Sequence, residues 1–539
     1  MSLPPGRHAG LLAPLFSIPS RASWGIGEIG DIPALAAWLR AAGQDLLQLL
    51  PINEMAVGQR SPYSALTAMA IDPIYISVHA VPEFRAIGGE EAMGREWRER
   101  LDAARRATRV DHALVRGLKD VALRAAFAEF ERRAAGAGAG KAAGDAARDA
   151  GEFDAWCDGQ GWWLEDYALF RALHARFGER PWSEWPASLR DRLPDALARA
   201  AAEQAAEARY RKWLQFVADR QWRDARARAR PVWLFGDLAF MVDGDSADVW
   251  ADTESFRLDV SIGAPPDAFS ATGQNWGMPA YRWDALAARD FGWLRRRARR
   301  MADLYDGYRV DHLVGFYRTY LFPHDASRAR FDPADQPAQL ALGEKVLAIF
   351  SGSGACVIAE DLGTVPDFVR ESLARLSVPG YKVFRWERHW EQPGQPYRDP
   401  AAYPPASVAT TGTHDTEPMA VWWDRLAASE RAAVLATPGI AEGARTLGDP
   451  GGAFTPELRD LLLDVLFASG SDILLLPIQD VFGWCDRINV PAVIDDHNWT
   501  WRLRWPSDTL DTQAEARERS EALRAFARRS GRAQAALEP

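Results

Sequence analysis

Tyr308-Arg309-Val310-Asp311-His312 and Ala355-Cys356-Val357-Ile358-Ala359-Glu360 are two short runs, each ending at or beside a carboxylate. Their aliphatic and β-branched interiors read as strands buried on both faces, the form that parallel strands take beneath helices. The same pattern recurs outward from this pair. Gly10 to Ser17, Leu46 to Ile52 and Val232 to Asp237 precede it; Tyr381 to Trp386, Val408 to Thr411 and Ile473 to Pro477 follow. Helical periodicity comes after most of these runs, as in Ile32 to Ala42 and Phe368 to Leu376. Eight such units predict an α/β fold, a closed (β/α)8 TIM barrel.

The gap between the second and third runs is far longer than one crossover helix and is rich in Ala, Arg and Glu at helical spacing. It predicts a mainly helical subdomain over 84–230, inserted into a single elaborated barrel that spans all 539 residues. Within it, 134–150 is almost wholly Ala, Gly, Lys, Arg and Asp, too poor in apolar surface to fix a fold, and is expected to be a mobile surface loop. At the other end, 512–536 alternates charged residues with Ala and Leu and reads as a solvated closing helix.

A net charge of -10 argues against nucleic acid or anionic lipid as a partner, since both attract basic patches. Cys157, Cys356 and Cys485 are widely spaced, so neither a disulfide framework nor a zinc knuckle is expected and a reducing compartment fits. The start has no apolar core of a signal peptide, and no run reaches the roughly 18 to 20 apolar residues of a membrane span. The expected location is the cytoplasm. Scattered histidines predict no metal site. The 23 tryptophans exceed ordinary usage and have two uses, filling a large core and stacking on the apolar faces of sugars.

Barrel enzymes build their sites at the C-terminal ends of the strands. Asp237, Asp311 and Glu360 stand at such ends, and Asp415 lies just beyond one, in Thr413-His414-Asp415-Thr416. Any one alone reads first as an ion pair or helix cap. Four together fit glycosidic cleavage with retention, which needs a carboxylate nucleophile and a carboxylic acid about 5 to 5.5 Å apart, a spacing that adjacent strands supply. Arg309 lies two residues before Asp311, on the same strand face, where its charge favours an ionised nucleophile. Ile358 stands in the same relation to Glu360 and offers an apolar flank that would keep an acid protonated.

These strand-end motifs resemble those of the α-amylase clan, and most closely the amylomaltase family of 4-α-glucanotransferases, glycoside hydrolase family 77. Ser61-Pro62-Tyr63, Gly236-Asp237-Leu238, Asp245-Ser246-Ala247-Asp248-Val249-Trp250, Pro265-Pro266-Asp267 and Thr272-Gly273-Gln274-Asn275-Trp276-Gly277 agree, in the family's order. The resemblance implies Asp311 as nucleophile, Glu360 as acid and then base, and Asp415 as the third carboxylate. It implies substrate contacts from Tyr63, Asp237, Asp267, Phe269, Gln274, Trp276, Arg309, His414 and, from Arg487-Ile488-Asn489, Asn489. His312 reads equally as structural or sugar-contacting. No cofactor is implied, because the two carboxylates supply both nucleophile and proton.

The implied reaction passes α-1,4-glucan segments between maltooligosaccharides, or to glucose. A hydrolase using the same carboxylates is the nearest alternative, and a non-catalytic glucan-binding protein is a second. Departures sit beside the catalytic set: Val314 where the family more often has Arg, Thr416 and Met278 where it has Asn, and Ala239-Phe240 after Leu238. Trp386-Glu387-Arg388-His389-Trp390 is unlike the family pattern.

Overall fold

The computed structural model describes residues 3, 5–136, 141–266, 273–325, 328–491, 493 and 495–532. Eight parallel strands close a barrel in sequential order: β1 (His8–Leu12), β2 (Leu46–Gln48), β3 (Trp233–Leu238), β4 (Gly307–Val310), β5 (Cys356–Ala359), β6 (Gly380–Val383), β7 (Ser407–Thr410) and β8 (Ile473–Pro477). All eight expected runs contribute. The reason they lack polar alternation is visible in β8. Ile473 and Leu475 join Leu46, Phe235, Ile358, Tyr381, Val383 and Val408 inside the barrel. Leu474 and Leu476 point the other way, into the larger core beneath the helices. Both faces are apolar because both are covered.

The first strand is displaced from its expected position. It starts at His8, whose N–H bonds the Asp472 carbonyl, and residues Leu15–Ser17 form a 3-10 turn opened by Pro14. His8 conceals the start by being polar, yet it is buried against Asp45 at 2.6 Å. The first and fifth crossover helices run Ile32–Ala41 and Asp367–Arg375, within a residue of expectation. The closing helix is Ala514–Arg529, tied to the first helix by the Trp38 indole N–H donating to the Ala516 carbonyl at 3.1 Å.

Between β2 and β3 the chain is mainly helical, with its longest helices at His112–Ala135, Lys141–Arg176 and Ala205–Ala229. The expected loop over 134–150 is therefore corrected: residues 141–150 belong to a helix, while 137–140 lie outside the described residues. Ala, Lys and Arg are strong helix formers, and the packed downstream part of this helix, with Leu164, Tyr167 and Phe170 buried, propagates order back through them. The helix also braces the barrel mouth. Arg171 and Tyr167 donate to Glu54 beyond β2, at 3.0 and 2.5 Å, and His174 meets Asp245 beyond β3 at 2.8 Å.

Gly307 is required by close approach. A Cβ there would lie 2.4 Å from the ring of Phe235, its register partner across the β3–β4 ladder. Gly307→Ala is expected to cost about 1–3 kcal/mol of stability by overpacking, read as a lower urea midpoint at unchanged slope. Among the described residues, no helix is long and apolar enough to cross a membrane.

Candidate active site

The ladders of β3, β4 and β5 continue one residue past the strands. The Asp311 N–H donates to the Leu238 carbonyl and the Glu360 N–H to the Val310 carbonyl, each at 3.0 Å. Asp311 and Glu360 thus leave adjacent strands at the same level, and neighbouring strands lie roughly 4.8 Å apart.

Below them Arg309 points into the barrel mouth, with its side chain 5% exposed. Its guanidinium reaches Asp237 at 2.7 and 2.8 Å, Asp311 at 2.9 Å and Glu360 at 3.4 Å. The Tyr63 hydroxyl donates to Asp237 at 2.9 Å, and the Phe240 N–H reaches the free Asp311 oxygen at 3.3 Å. Arg309 fills the place a cation would take among these three carboxylates. Among the described residues no group of three His, Cys, Asp or Glu side chains is arranged to hold a metal ion.

One guanidinium does not neutralise three carboxylates, and burial acts further on Glu360 and Asp237. Burial pushes Glu360 up to about 7, with Asp311 and Asp415 adding to the rise against the pull of Arg309 and of the His312 N–H, which donates at 2.5 Å. Burial likewise raises Asp237, opposed by Arg309. His312 has a left-handed backbone, φ 45°, that brings its N–H onto Glu360. Burial lowers its imidazole to about 4, so the ring is neutral near pH 7.

Asp415 takes the opposite course. Burial would raise it, but the His414 charge and hydrogen bond, with the Asn489 amide, outweigh burial and hold it down at about 2. Asn489 donates to one carboxylate oxygen at 2.6 Å, and His414 lies 3.3 Å from the other. Burial would lower His414, yet the same contact raises it. Arg487 secures the arrangement by donating to the backbone carbonyls of Asp415 and Asn489. Tyr63 joins the two halves of the site: its hydroxyl is on Asp237 and its ring stacks on His414 at 5.3 Å, with Trp499 beside both.

The structure thus gathers Tyr63, Asp237, Arg309, Asp311, Glu360, His414, Asp415 and Asn489. Trp276 meets the His312 ring edge-on at 4.9 Å, and Gln274 follows on the short strand Gln274–Asn275, which pairs with Val260–Ala264. Both line, with His312 and Glu360, a cavity of about 1440 Å³. Asp267 and Phe269 lie outside the described residues. Sequence reasoning missed Arg487, which stands two residues before Asn489, and Trp499, which carries no motif.

Residues 13–509 match the family model described as 4-alpha-glucanotransferase. The 4-alpha-glucanotransferase of Thermus thermophilus is 33% identical over 93% of this chain and 95% of its own length. That of Chlamydia pneumoniae is 30% identical over 92% and 91%. Among solved structures, the amylomaltase of Streptococcus agalactiae, in complex with acarbose, superposes with a TM-score of 0.80 over 98% of this chain and all of its own, at 24% identity, which speaks to the fold.

Proposed function

The chain belongs to the 4-alpha-glucanotransferase family, and from that premise we propose that Asp311, Glu360 and Asp415 carry a retaining transfer of α-1,4-glucan segments between maltooligosaccharides, or to glucose. The carrying observation is the cluster at the strand ends, where Arg309 meets Asp237 at 2.7 Å, Asp311 at 2.9 Å and Glu360 at 3.4 Å, with Asp415 held by Asn489 at 2.6 Å and His414 at 3.3 Å; burial pushes Glu360 up to about 7, while His414 and Asn489 hold Asp415 down. An acid must hold its proton at working pH, whereas a group that steadies a developing oxocarbenium ion must not.

In the first step the Asp311 carboxylate attacks the anomeric carbon, the C1–O bond breaks, and Glu360 gives its proton to the departing oxygen. The retained glucanosyl unit stays as an ester on Asp311. The 4-hydroxyl of an acceptor then attacks the same carbon, Glu360 takes its proton, and Asp311 is released. Ionised Asp415, with His414 and Asn489, accepts and donates hydrogen bonds to the hydroxyls of the sugar at the cleavage point. Buried Asp237 and Tyr63 do so from the other side. The groups in place supply both the nucleophile and the proton.

Water could capture the same ester, so transfer is tested by product and not by bond cleavage. Incubation with maltotriose is expected to yield a ladder of longer maltooligosaccharides; glucose and maltose alone would instead make the chain a hydrolase. Asn489→Ala removes one charged hydrogen bond from Asp415 and is expected to lower kcat/KM about ten- to hundredfold with the fold intact. A change under twofold would separate Asp415 from the reaction. Unpaired Cys157, Cys356 and Cys485 support a reducing, cytoplasmic setting.

A further inference from the structure

We propose that the hairpin over 387–398, with Trp386 at its base, forms a distal acceptor subsite, an aromatic platform that holds the far end of a long incoming α-1,4-glucan. The proposal rests on the transferase reading above. It starts from Trp386-Glu387-Arg388-His389-Trp390, the segment that departs from the family pattern.

The 23 tryptophans are all among the described residues, and only Trp386 and Trp390 are largely exposed, at 39% and 57%. Both line the cavity into which Glu360 opens. An indole left in water forgoes the burial that the other tryptophans obtain, and a pair left so along one groove offers flat apolar faces to a ligand. The platform is held firmly. Arg388 and Tyr397 pair across the hairpin, and the Arg388 guanidinium lies 4.1 Å over the Tyr397 ring and 5.8 Å over Trp390. Tyr397 stacks on Phe384 at 5.4 Å, and Arg388 is anchored to Glu430 beyond it.

Two observations choose the occupant. The cavity, about 1440 Å³, exceeds the roughly 300–1,000 Å³ of small-molecule sites and so suits a chain. It opens at Glu360, whereas Asp311, Asp415 and Tyr63 are not among its described lining residues. Glu360 serves the departing and incoming oxygens, so the groove continues on the acceptor side.

The test compares acceptors with maltotriose as donor: glucose, which reaches only the first acceptor position, and maltoheptaose labelled at its reducing end, scored by its lengthened products. In Trp386→Ala/Trp390→Ala the KM for maltoheptaose is expected to rise about tenfold and that for glucose to change less than threefold. Calorimetry of maltoheptaose in an Asp311→Asn background is expected to show the same loss of affinity. Trp390→Phe, which keeps a ring, should recover most of it, and this exposed single change also serves if the double variant folds poorly. Equal rises for both acceptors would overturn the proposal, as would unchanged maltoheptaose KM and affinity, including the case where only self-association in sedimentation is lost. If the wild-type protein builds no ladder from maltotriose, the transferase reading fails, while calorimetry still judges the platform.

Discussion

Asp311→Asn is expected to reduce glucan transfer by a factor on the order of 10⁴ to 10⁶ while leaving thermal unfolding and maltooligosaccharide binding close to wild type. The amide is nearly the same size, so the cleft keeps its shape, but it cannot form the ester on which both half-reactions depend. Arg309 loses one of three carboxylate partners and keeps Asp237 at 2.7 Å and Glu360 at 3.4 Å. The check is the maltotriose ladder followed over days. Residual activity within tenfold of wild type would mean that another group takes the nucleophile's place.

Glu360→Gln is expected to cost about 10² to 10⁴ in kcat with natural glucans, the usual share of a positioned acid and base. Two further readouts separate this from a loss of shape. With Glu360 as the proposed acid, wild-type kcat/KM is expected to fall as pH rises through about 7, where burial places its carboxyl, and this alkaline limb should vanish in the variant. An α-maltosyl fluoride donor, whose leaving group needs little protonation, should suffer far less in its first step. If the fluoride and the glucan were slowed alike, or the alkaline limb persisted, proton transfer would belong elsewhere.

The barrel was readable because strands covered on both faces write themselves as continuous apolar runs, and β8 does so without interruption. Boundaries were readable only where burial and polarity agree. At His8 they part, since an imidazole bonded to Asp45 can lie in a buried strand. At 141–150 composition pointed to a loop because it measures apolar surface, whereas helix there is propagated from residues packed further along. Carboxylates at strand ends were legible because position in a barrel restricts what a side chain can meet. The pairing of Arg309 with Asp311 was visible from a spacing of two. Its reach across β3 and β5 to Asp237 and Glu360 was not, because register between strands is set by barrel closure and leaves no mark in local sequence. Trp499 was invisible for the same reason: it meets Tyr63 and His414 only through the fold.

The single guanidinium among three carboxylates also bears on how the solvent responds to the reaction. In the proposed reaction Asp311 gives its negative charge to the new ester bond while Glu360 gives up its proton and takes on the charge. Both groups lie within 3.4 Å of Arg309, so one negative charge moves from one side of a fixed cation to the other, and the total around it stays the same. Apart from the passing oxocarbenium character that Asp415 would steady, no lasting charge has to be created in a poorly solvated cleft or carried out of it, and little water has to reorient between the resting cleft and the ester. A transferase gains from this, since the intermediate can wait for a sugar without a field that draws water in.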